Sequence, residues 1–376
     1  MSQNDEVRTA FVSTNSITQG EQVYPIWGTL IERFGISIDF AWNTFVWNSE
    51  AVDQTHVHCV IVGFSIGDHG GKCLFGSEGA APAENISPYL VDAPTVLVPA
   101  RGTALCGAKK ITLGCKPTDG GNYVFKKDEM LEFIDREPAS KRYFHPFLGS
   151  YEFINNKERY CLYIGQEDAS TIAQMPLVQE RMERVREMRL ASSAKPTRKM
   201  ADSPQHFFFE CISVSSYIVI PEVSSCRREY VPCGFLSPDV FVSNKLWVME
   251  DAGLYELGVL SSLTHNAWMR RVTGRLKSDY QYSGAIVYNN FVWPNPTDDQ
   301  RAVIESCAQA VLDAREAHPD RSLADLYDPD KMPSDLLAAH KALDAAVEAA
   351  YGVDFGGDEE KIVAHLFRLY AELTGE

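Results

Sequence analysis

Three short runs near the start of the chain are apolar and β-branched: residues 9–14 (TAFVST), 36–47 (ISIDFAWNTFVW) and 56–64 (HVHCVIVGF). Each predicts a strand. Between the first two, residues 22–34 (QVYPIWGTLIERF) carry the apolar spacing of a helix, with Pro25 near its start and Gly28 inside it. About eight polar residues join the last two runs, too few for a helical crossover, so these strands should pair antiparallel. Such a set closes the edge of an α/β sheet.

Residues 65–85 are rich in Gly, Ala and Ser and predict a linker, with a domain boundary near residue 76. Beyond it, residues 94–99 and 159–164 predict short strands, KPTDGGN at 116–122 predicts a turn, and residues 176–200 predict one long helix. From Thr297 onward the pattern is helical. Thr297 is a candidate N-cap before Asp298 and Asp299, and Ile304, Ala308, Val311 and Leu312 form an apolar stripe. A second helix starts at Ser334 and stops near Gly352, and a third covers 358–373. The expected class is α/β plus α in three parts: the end of an α/β sheet (1–75), a mixed α+β region (76–295) and a C-terminal helical bundle (296–376).

At 376 residues, 45% hydrophobic and 23% charged, the chain has the composition of a soluble multidomain protein, and no apolar run approaches the ~18 residues of a membrane span. The first residues, MSQNDEVRTA, lack a basic and apolar leader, so the expected location is cytoplasmic. Nine cysteines without a CxxC pair predict reduced thiols. His56 and His58 share a strand face beside Cys59, but no second ligand pair follows at a zinc-like spacing, and the expectation is ordinary sheet residues with no metal.

The net charge of −16 is unevenly spread: −5 over 1–75, 0 over 76–295 and −11 over 296–376. If the chain binds DNA, the middle region does so. Its predicted long helix carries Arg181, Arg184, Arg186, Arg189, Lys195, Arg198 and Lys199, interspersed with acids such as Glu183 and Glu187. That pattern suits a solvated face with i,i+4 charge pairs as well as a phosphate-contacting one. Arg181, Arg184 and Arg189 are the candidates for phosphate contact, with Lys116 in the 116–122 turn and Arg227 and Arg228 in VSSCRREY (223–230).

No GxSxG, HExxH, GxGxxG or paired-carboxylate signature occurs. The segment TGRLKSDYQYS (273–283) is rich in groups that can read bases: Arg275 and Lys277 suit guanine O6 and N7, Asp279 suits cytosine N4, and Gln281 suits adenine. Their spacing of two would put all four on one face of an extended segment. The same pattern is also that of a solvated edge strand with a Lys277–Asp279 pair.

The ordered blocks FVSTNSITQGEQV (11–23), DFAWNTFVW (39–47), VHCVIVGF (57–64), YLVDAP (89–94), KPTDGGN (116–122), PFLGSYEFINNKERYCLYI (146–164), GFLSPDV (234–240), GRLKSDYQYS (274–283) and YNNFVWP (288–294) resemble the MmeI-like, type IIL restriction–modification proteins and the related YeeA-type adenine-N6 DNA methyltransferases. The similarity continues through SLADLYDPDKMPSDLLAAHKALD (322–344). It implies that 1–75 are the final strands of a Rossmann-like methyltransferase domain, that 76–295 recognise the DNA target, and that Lys277, Asp279 and Gln281 read bases, with Lys245 a further candidate. In the family, a glycine-rich loop holds S-adenosylmethionine and an [ND]PP[YF] motif holds a flipped adenine. Neither stands in this sequence, and NPT at 295–297 lacks the second proline and the aromatic. The expectation is therefore a DNA-binding C-terminal portion that itself binds no cofactor, the methyltransferase part and any nuclease part lying elsewhere. A free-standing specificity subunit and a protein-interaction scaffold are the competing readings.

Overall fold

In the computed structural model, which describes residues 7–47, 57–77 and 79–375, the N-terminal strands form one sheet. Its members are β1 (Arg8–Thr14), β2 (Ile36–Trp47), β3 (Val57–Ile66), β4 (Lys72–Gly76) and β5 (Gly79–Ala83), in the order β1-β3-β2-β4-β5. The β2–β3 pair is antiparallel, as the short connection requires, and runs from Ile36↔Ile66 to Trp47↔Val57. A π-turn over Tyr24–Gly28 leads into helix α1 (Thr29–Phe34), in place of one regular helix from Gln22. His56 lies outside the described residues. His58 and Cys59 are consecutive residues of β3, with Cys59 buried.

The sheet corrects the reading of 65–85 as a linker. β4 pairs parallel with β2 and antiparallel with β5, so the sheet runs on to Ala83. β5, built from Gly, Ala and Pro, is held by backbone hydrogen bonds and leaves no apolar alternation to read, and β4 has only Cys73, Leu74 and Phe75 between Lys72 and Gly76. The opposite correction applies to residues 94–99. This run buries Val96, Leu97 and Val98 without joining any ladder, and the two prolines bounding it lack the N–H that pairing would use.

The middle region holds three small sheets. One has the order β12 (Gly234–Leu236), β10 (Tyr217–Pro221), β14 (Leu246–Met249), β6 (Ile111–Leu113). A second is β13 (Phe241–Val242), β8 (Phe144–Leu148), β9 (Tyr160–Leu162), β7 (Val124–Phe125). The third is β11 (Val223–Ser224), β16 (Asp279–Gln281), β15 (Gly274–Leu276). Around them lie α2 (Lys127–Arg136), α3 (Ser150–Asn155), α4 (Ala169–Ile172), α5 (Pro176–Leu190), α6 (Lys195–Lys199), α7 (Leu254–Ser261) and α8 (Leu263–Val272). The single long helix expected over 176–200 is thus two. α5 ends at Leu190, Pro196 opens α6, and Arg198 donates to the carbonyls of Ser192 and Ser193 in the break.

The C-terminal helices are α9 (Asp298–Glu316), the short α10 (Leu323–Leu326), α11 (Ser334–Ala350) and α12 (Glu359–Thr374). Thr297 caps α9 as expected, its hydroxyl accepting from Gln300 N–H while Gln300 Oε1 accepts from Thr297 N–H at 2.9 Å. α9 and α11 pack on each other, as a bundle requires, and the set also packs on the helices of the middle region. α9 lies against Gly258 of α7, where a Cβ would meet Ile304 at 2.8 Å, and Phe367 of α12 stacks edge-on against Trp268 of α8. One continuous core runs from Val23 and Trp27 under the N-terminal sheet through Trp268 to Tyr370, and a second underlies α2 and α5. The nine cysteines carry no disulfide, and among the described residues no helix is long and apolar enough to cross a membrane.

Candidate nucleic-acid interface

β15 and β16 are a hairpin closed by the two-residue turn Lys277–Ser278, with Leu276 opposite Asp279 and Arg275 opposite Tyr280. Lys277 takes a left-handed φ of 59°, the conformation a tight hairpin turn of this length demands. The turn overturns the expectation that Arg275, Lys277, Asp279 and Gln281 share one face. Directly opposed residues point to the same side, so Arg275 goes with Tyr280, its guanidinium 4.2 Å from the ring centre, while Asp279 and Gln281 project from the other side. Nor is the segment one edge strand, because β16 lies between β11 and β15.

Lys277 stands exposed at the hairpin tip, with no hydrogen bond or ion pair to any described residue, Asp279 included. Asp279 accepts from Cys226 N–H at 3.2 Å, which ties the hairpin to the loop after β11. Lys277 and Gln281 line a cleft of about 480 Å³ whose far wall is Asn15, Gln19 and Gln22 from the N-terminal segment. Glu222 opens into the same cleft and holds the exposed Lys245 in an ion pair of 2.8 Å. The structure therefore gathers Lys277, Gln281 and the partner of Lys245 at one opening, with Arg275 in its wall.

The N-terminal segment and the hairpin meet backbone to backbone. Gly20, at φ 65°, approaches Gly274 so closely that a Cβ on Gly20 would lie 2.9 Å from Gly274 Cα. Gln19 Oε1 accepts from Arg275 Nε at 3.1 Å beside this contact. Neither Gln19 nor Gly20 was singled out from the sequence, although both stand in the block FVSTNSITQGEQV; no periodic signal links residue 20 to residue 274.

The candidate phosphate contacts scatter. Arg189 is wholly buried and donates five hydrogen bonds to the carbonyls of Pro117, Thr118, Met200, Ser203 and His206. It cannot reach a duplex, and burial holds its guanidinium below the usual range. Arg184 is exposed but paired with Glu180 one turn away, and Arg186 with Glu183, so much of this helix face is self-neutralised. The Arg181 guanidinium lies over the Phe125 ring at 5.0 Å, its basicity lowered by burial. Arg227 pairs with Asp328 and Asp330, and Arg228 is half-buried, its Nε without a partner and its basicity lowered by burial against the pull of Asp279 and Asp328. Lys116 is exposed above Phe208 at 5.7 Å.

Three family models of MmeI match consecutive stretches: the DNA-methyltransferase domain at residues 1–76, the target recognition domain at 92–295 and the C-terminal domain at 296–376. DNA methyltransferase A of Bacillus subtilis (strain 168) is 40% identical over 369 residues, which are 98% of this chain and 42% of that protein. A solved structure of the type IIL restriction–modification enzyme MmeI in complex with DNA is 44% identical and superimposes with a TM-score of 0.92, covering 99% of this chain and 50% of the other. The chain spans half or less of the length of these relatives. It belongs to the MmeI-like, type IIL restriction–modification family.

Proposed function

We propose that this chain is the DNA-reading portion of an S-adenosylmethionine-dependent adenine-N6 DNA methyltransferase of a restriction–modification system. Residues 1–75 would be the last strands of a Rossmann-like methyltransferase sheet, 76–295 the recognition domain and 296–376 the helical support. The cofactor and the target adenine would be held by sequence outside these residues, in the same polypeptide or in a second chain. The observation that carries the reading is the hairpin tip: an unpaired lysine in a strained turn, beside an aspartate and a glutamine on one face, opening on a cleft walled by the methyltransferase-like segment.

The N-terminal sheet supports a missing portion. β1 is an edge strand, and on β1 and β2 Phe11, Val12, Trp42, Val46 and Trp47 are exposed. An open edge with apolar side chains is the surface against which further strands and helices of a larger domain pack. This supports a two-part methyltransferase over a protein-interaction scaffold working through the acidic helices.

In the hairpin, Lys277 has a donor for guanine and Asp279 an acceptor for cytosine, so the two would read one G·C pair from the major groove. The test is a methylation screen over randomised sites, in a complete enzyme made by joining a family methyltransferase portion to this chain. Lys277→Glu with Asp279→Arg should move the preference at one position from G·C to C·G, each lost contact costing roughly 1–3 kcal/mol. Each single change should do worse than the double. Uniform loss at all sequences would make both residues structural and remove the base-reading role.

A further inference from the structure

A second cleft, of about 320 Å³, shares Gln19 and Arg275 in its walls with the Lys277 cleft. Its walls bring Asn43 and Thr44 of β2 and Gln19 of the N-terminal segment against Arg270 and Arg271 of α8 and Arg275 of β15. Arg270 is spent on Glu359, with Nε–Oε2 at 2.9 Å and Nη2–Oε1 at 2.8 Å, which also cancels the one carboxylate in the wall. Arg271 and Arg275 have no ion-pair partner among the described residues.

Both free guanidiniums are held in place. Arg271 is half-buried and reaches only the carbonyls of Tyr89 and Leu90, at 3.3 and 3.5 Å, which are long for charge-assisted bonds. Leu90 presents those carbonyls from a left-handed φ of 56°, a conformation that costs a non-glycine residue free energy. Arg275 is pinned by Gln19, the Ser278 carbonyl and the Tyr280 ring. A desolvated cation with only distant carbonyls for company is costly unless an anion completes it. Burial holds Arg271 below its usual range, with Glu359 and Glu360 pulling the other way.

We propose that this cleft seats a phosphodiester of the DNA backbone, gripped by Arg271 and Arg275 with Asn43 and Thr44 as supporting donors. The proposal rests on the DNA-reading function above and adds its anchoring point. Arg275 is a wall of both clefts, so the strand whose base meets the hairpin tip continues past it into the second cleft. The contact is made jointly by the methyltransferase-like and recognition segments and carries no sequence information.

The test uses the full chain and a mixed-sequence DNA duplex, with affinity measured against salt concentration. Thr44→Glu places a carboxylate on an exposed wall position, and Arg271→Met removes a cation. Each variant should lower the slope of log affinity against log salt by about 0.9. Each should also weaken binding by about tenfold, equally for all sequences. If Arg271→Met fails to fold, Thr44→Glu alone decides. Wild-type slope and affinity in a folded Thr44→Glu would overturn the cleft assignment and leave the DNA-reading function standing. A wild-type chain that binds no DNA would overturn both. Inorganic phosphate that stabilises the wild type but not Thr44→Glu against heat, with the DNA slope unchanged, would make the cleft a free-anion site and overturn the assignment to DNA.

Discussion

Arg189 carries a permanent charge into the second core and spends all five of its N–H bonds on five carbonyls from two chain segments. Arg189→Met should therefore destabilise the fold by on the order of 3–5 kcal/mol, because it strands those carbonyls in an apolar surround. Urea unfolding checks this, with Arg184→Ala as the comparison: its exposed pair with Glu180 should be worth no more than about 0.5 kcal/mol. In the sequence these two residues look alike. Both stand in a run of arginines, and charge spacing along a helix does not reveal which cation the turn at 116–122 and the loop after α6 will enclose. The same blindness applies to Gln19 and Arg271, whose partners lie far away along the chain.

Among elements, the ones legible in the sequence carry their own end signals. α9 has its Thr297 capping box, α11 stops just before the left-handed Gly352, and α12 begins behind Asp358, whose carboxylate accepts from two N–H groups. β2 and β3 are legible because their connection is short. The β4–β5 hairpin is not, since β5 is Gly, Ala and Pro and looks like linker, while the apolar run of β4 is only three residues long. The β15–β16 hairpin is hidden for another reason: its turn uses Lys277 and Ser278 instead of Asn-Gly, so alternation runs through the turn and predicts one strand where there are two. That choice has a stability signature. Lys277→Asn should keep or improve stability, since Asn tolerates the left-handed region. Lys277→Ile should cost about 1–2 kcal/mol there. Thermal denaturation of both variants, with amide exchange at Tyr280 and Gln281 as a local probe, checks the hairpin itself.

At the scale of the whole molecule, the C-terminal helices are bound to the recognition region by a buried polar cluster. Asp344 of α11 accepts from Tyr230 Oη and from Leu263 N–H, both at 2.7 Å, while His340 stacks on Tyr230 and meets Tyr327 Oη at 2.8 Å. Burial pushes Asp344 up to about 6, with Leu263, Tyr230 and Lys341 drawing it back and Glu229 adding to the rise. The folded chain thus holds this proton more tightly than the unfolded chain, whose carboxyl titrates near 3.8. Its stabilising contribution is complete below about pH 4 and is lost as pH rises through about 6, a fall of up to about 3 kcal/mol. Asp344→Asn should lose that decline, read as the difference between the two proteins' urea midpoints at pH 4 and pH 7. The glycine contact between residues 20 and 274 has a consequence for building chimeras. Exchanging the recognition region between relatives is compatible with this geometry only where the recipient also has glycine at position 20. A methyl group there would sit 2.9 Å from Gly274, and relief to an ordinary contact of 3.4–4 Å would lift the hairpin by about 0.5–1 Å. If the hairpin reads bases as proposed, that is enough to take a 3 Å hydrogen bond to a base edge out of range. At position 274 the reverse change meets Gly20 at 3.8 Å and is tolerated, so the graft's tolerance is set by the recipient and not by the donor.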